Sequence, residues 1–208
     1  MGWWSTQVLP RAIDVTLDTA YLRGLREQVC SHARGEVLEL GFGSGLNLAH
    51  YPPSVTAVLA VEPSDVAWGR SAERREAVPF DVRRVGLDGA HVALPDASVD
   101  TAVSVFTLCT IGDVAAAVRE LFRVLRPGGS LLLLEHGIAP DQRVARWQHR
   151  LDPLQQRLAG GCHLTREPAA LARAGGLVVD DVERFYLPGP AFARPWGYLT
   201  RARASRPG

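Results

Sequence analysis

The 208-residue sequence predicts an α/β fold: a seven-stranded, mostly parallel sheet with helices on both faces and an antiparallel hairpin at its C-terminal edge. Three observations lead there. Short apolar runs alternate with amphipathic stretches, a glycine cluster comes directly after the first apolar run, and an acidic residue ends the second.

Pro10 to about Arg34 reads as one helix, because Ile13, Leu17, Ala20, Tyr21 and Leu25 recur at helical spacing, and Gly35 is expected to end it. Val37-Leu38-Glu39-Leu40 is a short buried strand that stops at glycines. Thr56–Val61 is the second strand, with a polar helical stretch after it over Asp65–Glu76. Phe80–Val85 and Val99–Phe106 are the third and fourth strands. Asp113 is placed to cap an amphipathic helix reaching Arg126. Pro127-Gly128-Gly129 breaks the chain before a fifth strand, Ser130–Glu135. Beyond Pro140 come a helix over Asp141–Leu158, a Gly160-Gly161 break and a short helix near Glu167–Ala174. Two last strands, Leu177–Tyr186 and Trp196–Ala204, are joined by short loops as the edge hairpin.

Composition narrows the chemistry. Hydrophobic residues make up 47% and charged ones 22%, with a net charge of +1. That is an ordinary globular balance, and it lacks the basic excess a nucleic-acid partner would require. Every basic side chain other than histidine is Arg, which excludes Schiff-base chemistry and a P-loop lysine. The abundance of Ala, Arg, Gly and Val suggests a GC-rich bacterial coding sequence. The three cysteines, Cys30, Cys109 and Cys162, are odd in number and widely spaced. No metal site and no disulfide framework is therefore expected, and a reducing cytoplasm fits best. No apolar run is long enough to span a bilayer. Trp3 and Trp4, with Val8 and Leu9, read as part of a packed amphipathic N-terminal helix, with peripheral contact to a lipid membrane surface or a roof over the active site as the other readings.

The chemistry concentrates in Glu39-Leu40-Gly41-Phe42-Gly43-Ser44-Gly45, where glycines let a backbone approach a ligand closely. A dinucleotide loop asks for G-x-G-x-x-G, whereas Gly41, Gly43 and Gly45 give G-x-G-x-G with Leu46 after it. Glu62, at the end of the second strand in Val61-Glu62-Pro63, is placed to accept both hydroxyls of a ribose. NAD enzymes carry an acid there too, so Glu62 argues for an adenosine-bearing ligand of either kind. Asp88, in Gly86-Leu87-Asp88-Gly89-Ala90, is placed to take a hydrogen bond from an adenine amino group.

With Leu94-Pro95-Asp96-Ala97-Ser98-Val99-Asp100 and Val124-Leu125-Arg126-Pro127-Gly128-Gly129-Ser130 added, the order of segments from about Gly35 to Gly137 closely resembles the Rossmann-like class I S-adenosylmethionine-dependent methyltransferases that include ubiquinone-biosynthesis enzymes. The resemblance implies an S-adenosylmethionine cofactor. By it, Glu39, Gly41, Phe42, Gly43, Gly45, Leu46 and Asn47 would hold the methionine end, and Glu62, with Pro63 and Ser64 after it, the ribose. Asp88, Gly89 and Ala90 would hold the adenine, and Phe106, Thr107 and Leu108 would line the cofactor. The C-terminal third, with Trp147-x-x-x-Leu151-Asp152-Pro153-Leu154 and Gly161-Cys162-His163-Leu164-Thr165-Arg166-Glu167, is similar to a methyltransferase-like subgroup whose animal members are thiol S-methyltransferases. Leu108-Cys109 and Glu135-His136 match that subgroup as well. The chain then divides into an N-terminal helical lid (1–34), a cofactor-binding core (35–137) and substrate-side helices with the hairpin (138–208).

A thiol leads as the methyl acceptor, since a thiol is already partly ionised at neutral pH, whereas phenols and amines more often need a positioned base. A quinone or phenol ring and a lipid amine are the alternatives. Arsenite is disfavoured because that chemistry wants clustered thiols and these are scattered. From other classes, an NAD-dependent oxidoreductase is disfavoured by Leu46, and a cofactor-binding regulator without catalysis shares the same acids. His136, after the fifth strand, and His163 are the candidate catalytic residues. Cys162 reads as a small hydrophobe with no metal constellation around it, and Arg166 as a clamp for an acid or a cap for the next helix. The Arg70–Arg84 cluster reads as a solvated helix face.

Overall fold

The computed structural model describes residues 7–208; Trp3 and Trp4 lie outside the described residues. Seven strands form one sheet: β1 (Gly35–Leu40), β2 (Val55–Val61), β3 (Asp81–Gly86), β4 (Val99–Val105), β5 (Leu125–His136), β6 (Val178–Tyr186) and β7 (Tyr198–Ser205). Their order is β3-β2-β1-β4-β5-β7-β6, with β7 antiparallel to both its neighbours and the remaining pairs parallel. The four central parallel strands are buried along most of their length, which is why Val37–Leu40, Ala57–Val61, Thr101–Val105 and Leu131–Leu134 read as mainly apolar runs. The edge strands β3 and β6 carry Arg83, Arg84, Asp180, Asp181 and Glu183 instead, charges that blunt an exposed edge.

Alternation along the strands feeds two cores. Leu131 and Leu133 of β5 face α5 (Val114–Val124) and α7 (Pro168–Ala174), packing on Leu121, Val124 and Ala172. Leu132 and Leu134 face the other way, onto Leu22, Leu25 and Val29 of α2 (Ala20–Cys30). Buried aliphatic side chains of this kind, each contributing roughly 1.5–3 kcal/mol, make the sheet a rigid platform for the loops at its carboxyl edge.

Several boundaries depart from the sequence expectation. The N-terminal helix is two helices, α1 (Leu9–Leu17) and α2, broken at Asp18-Thr19; the apolar spacing runs through the break, but the Thr19 side chain accepts from Leu22 N and starts a new helix. Gly35 does not end a helix but opens β1, at φ +61°. The helix after β2 is likewise divided at Ser71 into α3 (Asp65–Arg70) and α4 (Ala72–Glu76). Asp113 caps α5 as expected, accepting from Ala116 N. β5 begins at Leu125, so Pro127-Gly128-Gly129 does not precede the strand; it forms an irregularity within it, and the pairing with β4 jumps from Val99–Leu125 to Thr101–Ser130. After α6 (Gln142–Leu158), the β6–β7 connection holds α8 (Arg194–Gly197), and Trp196 lies in that helix, not in a strand. Among the described residues no helix is long and apolar enough to cross a membrane.

Thr19→Ala should cost about 1 kcal/mol through loss of the cap. In a chain of this size that lowers the calorimetric midpoint by about 2–4 °C; an unchanged midpoint would mean the α1–α2 break does not depend on Thr19.

Candidate active site

A cleft of about 400 Å³ opens at the carboxyl ends of β1, β2, β3 and β4. The chain leaves β1 toward β2 on one side, while β4 lies on the other. This is a topological switch point, where the loops diverge and leave a crevice. The volume suits a small molecule.

The glycine loop forms one wall. Gly41, Gly43 and Gly45 all have positive φ, between +60° and +79°, which ordinary side chains disfavour. A Cβ at Gly41 would overlap the Thr107 side chain, so the loops after β1 and β4 interlock there. A Cβ at Gly43 would meet no protein atom closer than 3.9 Å and would project into open space at the cleft wall. Glu62 fixes this loop from below. Its carboxylate accepts from Gly43 N and Ser64 N, both at 2.7 Å, while lining the cleft at 6% exposure. Burial raises the Glu62 pKa, partly offset by those two amides.

Glu39 stands behind the loop, outside the cleft wall. It is fully buried and accepts from Asn47 Nδ2 and Tyr51 Oη, each at 2.7 Å. Burial raises it to about 7 against those two bonds and the charge of Arg26. Asn47 does face the cleft, and its Oδ1 accepts from Arg26 at 2.7 Å. Arg26 is itself 4% exposed and lines the cleft, and its Nε has no hydrogen-bond partner.

Ile13, Asp14 and Leu17 of α1 complete the wall. Asp14 accepts from Ser44 Oγ and from Arg70, with Arg74 at 3.6 Å. Burial pushes Asp14 up, but the bonds from Ser44 and Arg70 and the charge of Arg74 outweigh it and hold the carboxyl low. This corrects the reading of the Arg70–Arg84 cluster as a solvated face. Arg70 and Arg74 grip α1, Arg74 also donates to Ser44 O, Arg75 lies 4.1 Å over Trp68, and Arg84 donates to Glu62 O.

Opposite the glycines, Phe106 leaves β4 at φ +56°, an uncommon conformation for a bulky residue. The next three residues are pinned by Glu135. This buried carboxylate accepts from Ser104 Oγ (2.7 Å) and from the amides of Thr107 (2.9 Å), Leu108 (3.0 Å) and Cys109 (3.2 Å). The Phe106 ring lies 5.2 Å from that of His136. Behind them Cys109, His136 and Cys162 converge, with both sulfurs 3.7 Å from His136 Nδ1. Cys162 falls to about 4, first through its contact with Cys109 and then through His136, whereas the same contact and burial raise Cys109. The expectation of scattered thiols without a constellation is corrected, since Cys109 and Cys162 lie 53 residues apart in sequence and touch in space.

Of the residues singled out from sequence, Gly41, Phe42, Gly43, Leu46, Asn47, Glu62, Pro63, Ser64, Asp88, Gly89, Phe106 and Thr107 line the cleft. Gly45 packs on Leu48 and Phe42, Ala90 donates to Asp88 Oδ1, and Leu108 belongs to the core, all outside the wall. His163 is turned to Asp152 (3.2 Å) and Gln156 (3.0 Å), and Arg166 donates to Leu108 O; both are away from the cleft wall. The sequence pattern does not single out Asp14 or Arg26, and it marks Glu135 only through the subgroup resemblance, with no role attached. The first two are charges set among the apolar positions of amphipathic helices, and the third comes after four consecutive leucines. A charge on an apolar face is the available signal, because burial must then be compensated.

Glu39→Gln should remove a pH dependence of stability. The folded carboxyl titrates at about 7 and the unfolded one at 4.5. Between these values the folded state keeps a proton the unfolded state has lost, so stability falls as pH rises and the loss is complete above 7. Denaturant unfolding should show the variant gaining on the order of 3 kcal/mol relative to wild type across that window. Parallel curves would mean that Glu39 is ionised throughout.

A methyltransferase-domain family model matches residues 38–133, which hold the glycine loop, Glu62, Asp88 and Phe106. The human thiol S-methyltransferase TMT1A is 34% identical over 143 residues, 66% of this chain and 58% of the relative, so little more than half of that protein's length is spanned. A phosphatidylethanolamine N-methyltransferase of Cereibacter sphaeroides is 30% identical over 61% of this chain and 68% of its own. In fold, a SAM-dependent methyltransferase of Thermotoga maritima superposes with a TM-score of 0.70 at 19% identity, covering 99% of this chain and 100% of its own. The crevice at the switch point, its glycine wall and these likenesses agree, and the chain belongs to the SAM-dependent methyltransferase family.

Proposed function

We propose that the cleft binds S-adenosylmethionine and that the chain transfers its methyl group to a small-molecule acceptor, a thiol in the leading reading. The observation that carries the cofactor is the pairing of Glu62 with Gly43 on one side and the buried, partly unpartnered Arg26 on the other. Each Glu62 oxygen keeps a free lone pair for a ribose hydroxyl. The Arg26 guanidinium lines the cleft beside Asn47, and the carboxylate at the amino-acid end of the cofactor supplies its counter-charge. Gly43 leaves the space through which such a ligand passes close to the backbone. Asp88 and Gly89 line the cleft beyond β3, on the adenine side of this reading, and Phe106 and Thr107 close it opposite the glycines.

When bound, the cofactor supplies an electrophilic sulfonium methyl. The chain's part is to orient and to exclude water, and positioning alone is worth roughly 7–11 kcal/mol. The thiol reading rests on the likeness to the thiol S-methyltransferase and on chemistry, since a thiolate needs no strong base. His136 is the nearer of the two candidate histidines to the cleft, through its contact with Phe106, and His163 takes the positioning role beside Asp152. A lipid amine is the second reading, favoured by the phosphatidylethanolamine N-methyltransferase relative.

Calorimetric titration should give micromolar binding of S-adenosylhomocysteine and none of NAD; the reverse result would overturn the cofactor. Glu62→Ala should remove most of that binding. Arg26→Met should weaken S-adenosylhomocysteine by roughly 10–100-fold, the loss of a charged hydrogen bond, yet leave methylthioadenosine, which has no carboxylate, unchanged. Equal losses for the two ligands would remove the carboxylate assignment. For the acceptor, thiols should be methylated faster than phenols or amines in a side-by-side screen.

A further inference from the structure

We propose that Cys109, His136 and Cys162 form a three-ligand site for a thiophilic divalent metal, zinc being the ion the geometry fits. Cys109 Sγ lies 3.6 Å from Cys162 Sγ, and His136 Nδ1 stands 3.7 Å from each sulfur. A tetrahedral zinc, with bonds of ~2.3 Å to sulfur and ~2.0 Å to nitrogen, needs roughly 3.8 Å between its sulfurs and roughly 3.5 Å from sulfur to nitrogen. Every edge of the observed triangle agrees within about 0.2 Å. Packing of two thiols as small hydrophobes accounts for the sulfur–sulfur contact alone. Thiol–imidazole hydrogen bonds account for the nitrogen contacts without a metal, and metal content separates the two.

The donor set decides the class of metal. Two thiolates and an imidazole are soft and borderline ligands, suited to zinc and unsuited to magnesium or calcium, which take oxygen. All three ligands are held in place from behind. Glu135 fixes the Cys109 amide, Cys109 O accepts from His163 N at 2.7 Å, and the His136 ring is braced by Phe106. Gly160 and Gly161, at φ +62° and +88°, turn the chain after α6 so that Cys162 returns to Cys109. The ligands thus come from three elements far apart in sequence, and a metal would join them as a cross-link. Three protein ligands leave a fourth tetrahedral position to water or to an exogenous thiol, as in sites that do chemistry. The site borders the cleft, whose wall includes Phe106, Thr110 and Gly160.

The proposal does not depend on the cofactor assignment and is read by metal content. The full chain, purified without chelator, should carry about one zinc per molecule. Replacement by cobalt should give the intense visible bands of a tetrahedral site and a near-ultraviolet thiolate-to-cobalt charge-transfer band. Cys162→Ser should lose both the stoichiometric zinc and the charge-transfer intensity, whereas Cys30→Ser, altered at the distant cysteine, should keep them. Wild-type protein that holds no zinc and takes up no cobalt would overturn the site. So would undiminished metal in Cys162→Ser, or a thiol count on denatured wild type showing Cys109 and Cys162 joined as a disulfide. If Cys162→Ser fails to fold, the wild-type cobalt titration still decides.

Discussion

The Glu135 carboxylate organises the whole active edge. It sits at the end of β5, fully buried, and collects four donors from β4 and the segment after it. Burial raises its pKa, and those four bonds are what make a charge tolerable there. Because three of them are consecutive backbone amides, they dictate the path of Thr107 to Cys109. That path carries Phe106 into its left-handed conformation and sets the Thr107 side chain against Gly41. It also presents Cys109 to His136 and Cys162. One interaction therefore shapes both the wall of the cleft and the thiol–imidazole cluster behind it.

A second layer of polar contacts positions the opposite wall. Glu39, Asn47, Tyr51 and Arg26 form a buried chain under the glycine loop, and Glu62 holds the loop's middle. Such networks are stabilising only when fully satisfied. The unpartnered Nε of Arg26, itself buried, marks the point where this one is open, and the Arg26 side chain lines the cleft. The glycine loop supplies shape; these side chains supply direction.

The legibility of the fold in the sequence depends on how local each signal is. The central strands are legible because burial on both faces writes an unbroken apolar run, as in Leu131–Leu134. The glycine wall and Glu62 are legible because a strand, a turn and an acid adjoin in sequence. The break at Asp18-Thr19 is masked by an apolar periodicity that continues across it, and the irregularity at Pro127–Gly129 is masked by residues that usually end strands. Asp14 and the arginines of α3 and α4 leave no local trace of their pairing, because Asp14 and Arg70 are 56 residues apart in the chain. The cluster of Cys109, His136 and Cys162 carries no spacing motif at all. Only the order of β4, β5 and α6 around the sheet brings it together.

The chain's exclusive use of arginine has a consequence for alkaline conditions. Every side-chain cation that ties α1 to α3 and α4, or caps the sheet's edges, is a guanidinium, and a guanidinium keeps its proton far above the range in which an ammonium would surrender it. The arginine ion pairs therefore have no ammonium partner that fails first as the solution turns basic; the exposed His91–Asp88 pair yields earlier, when the imidazole gives up its proton. The charged frame around the cleft persists through alkaline conditions in which a frame built on lysine would be discharged.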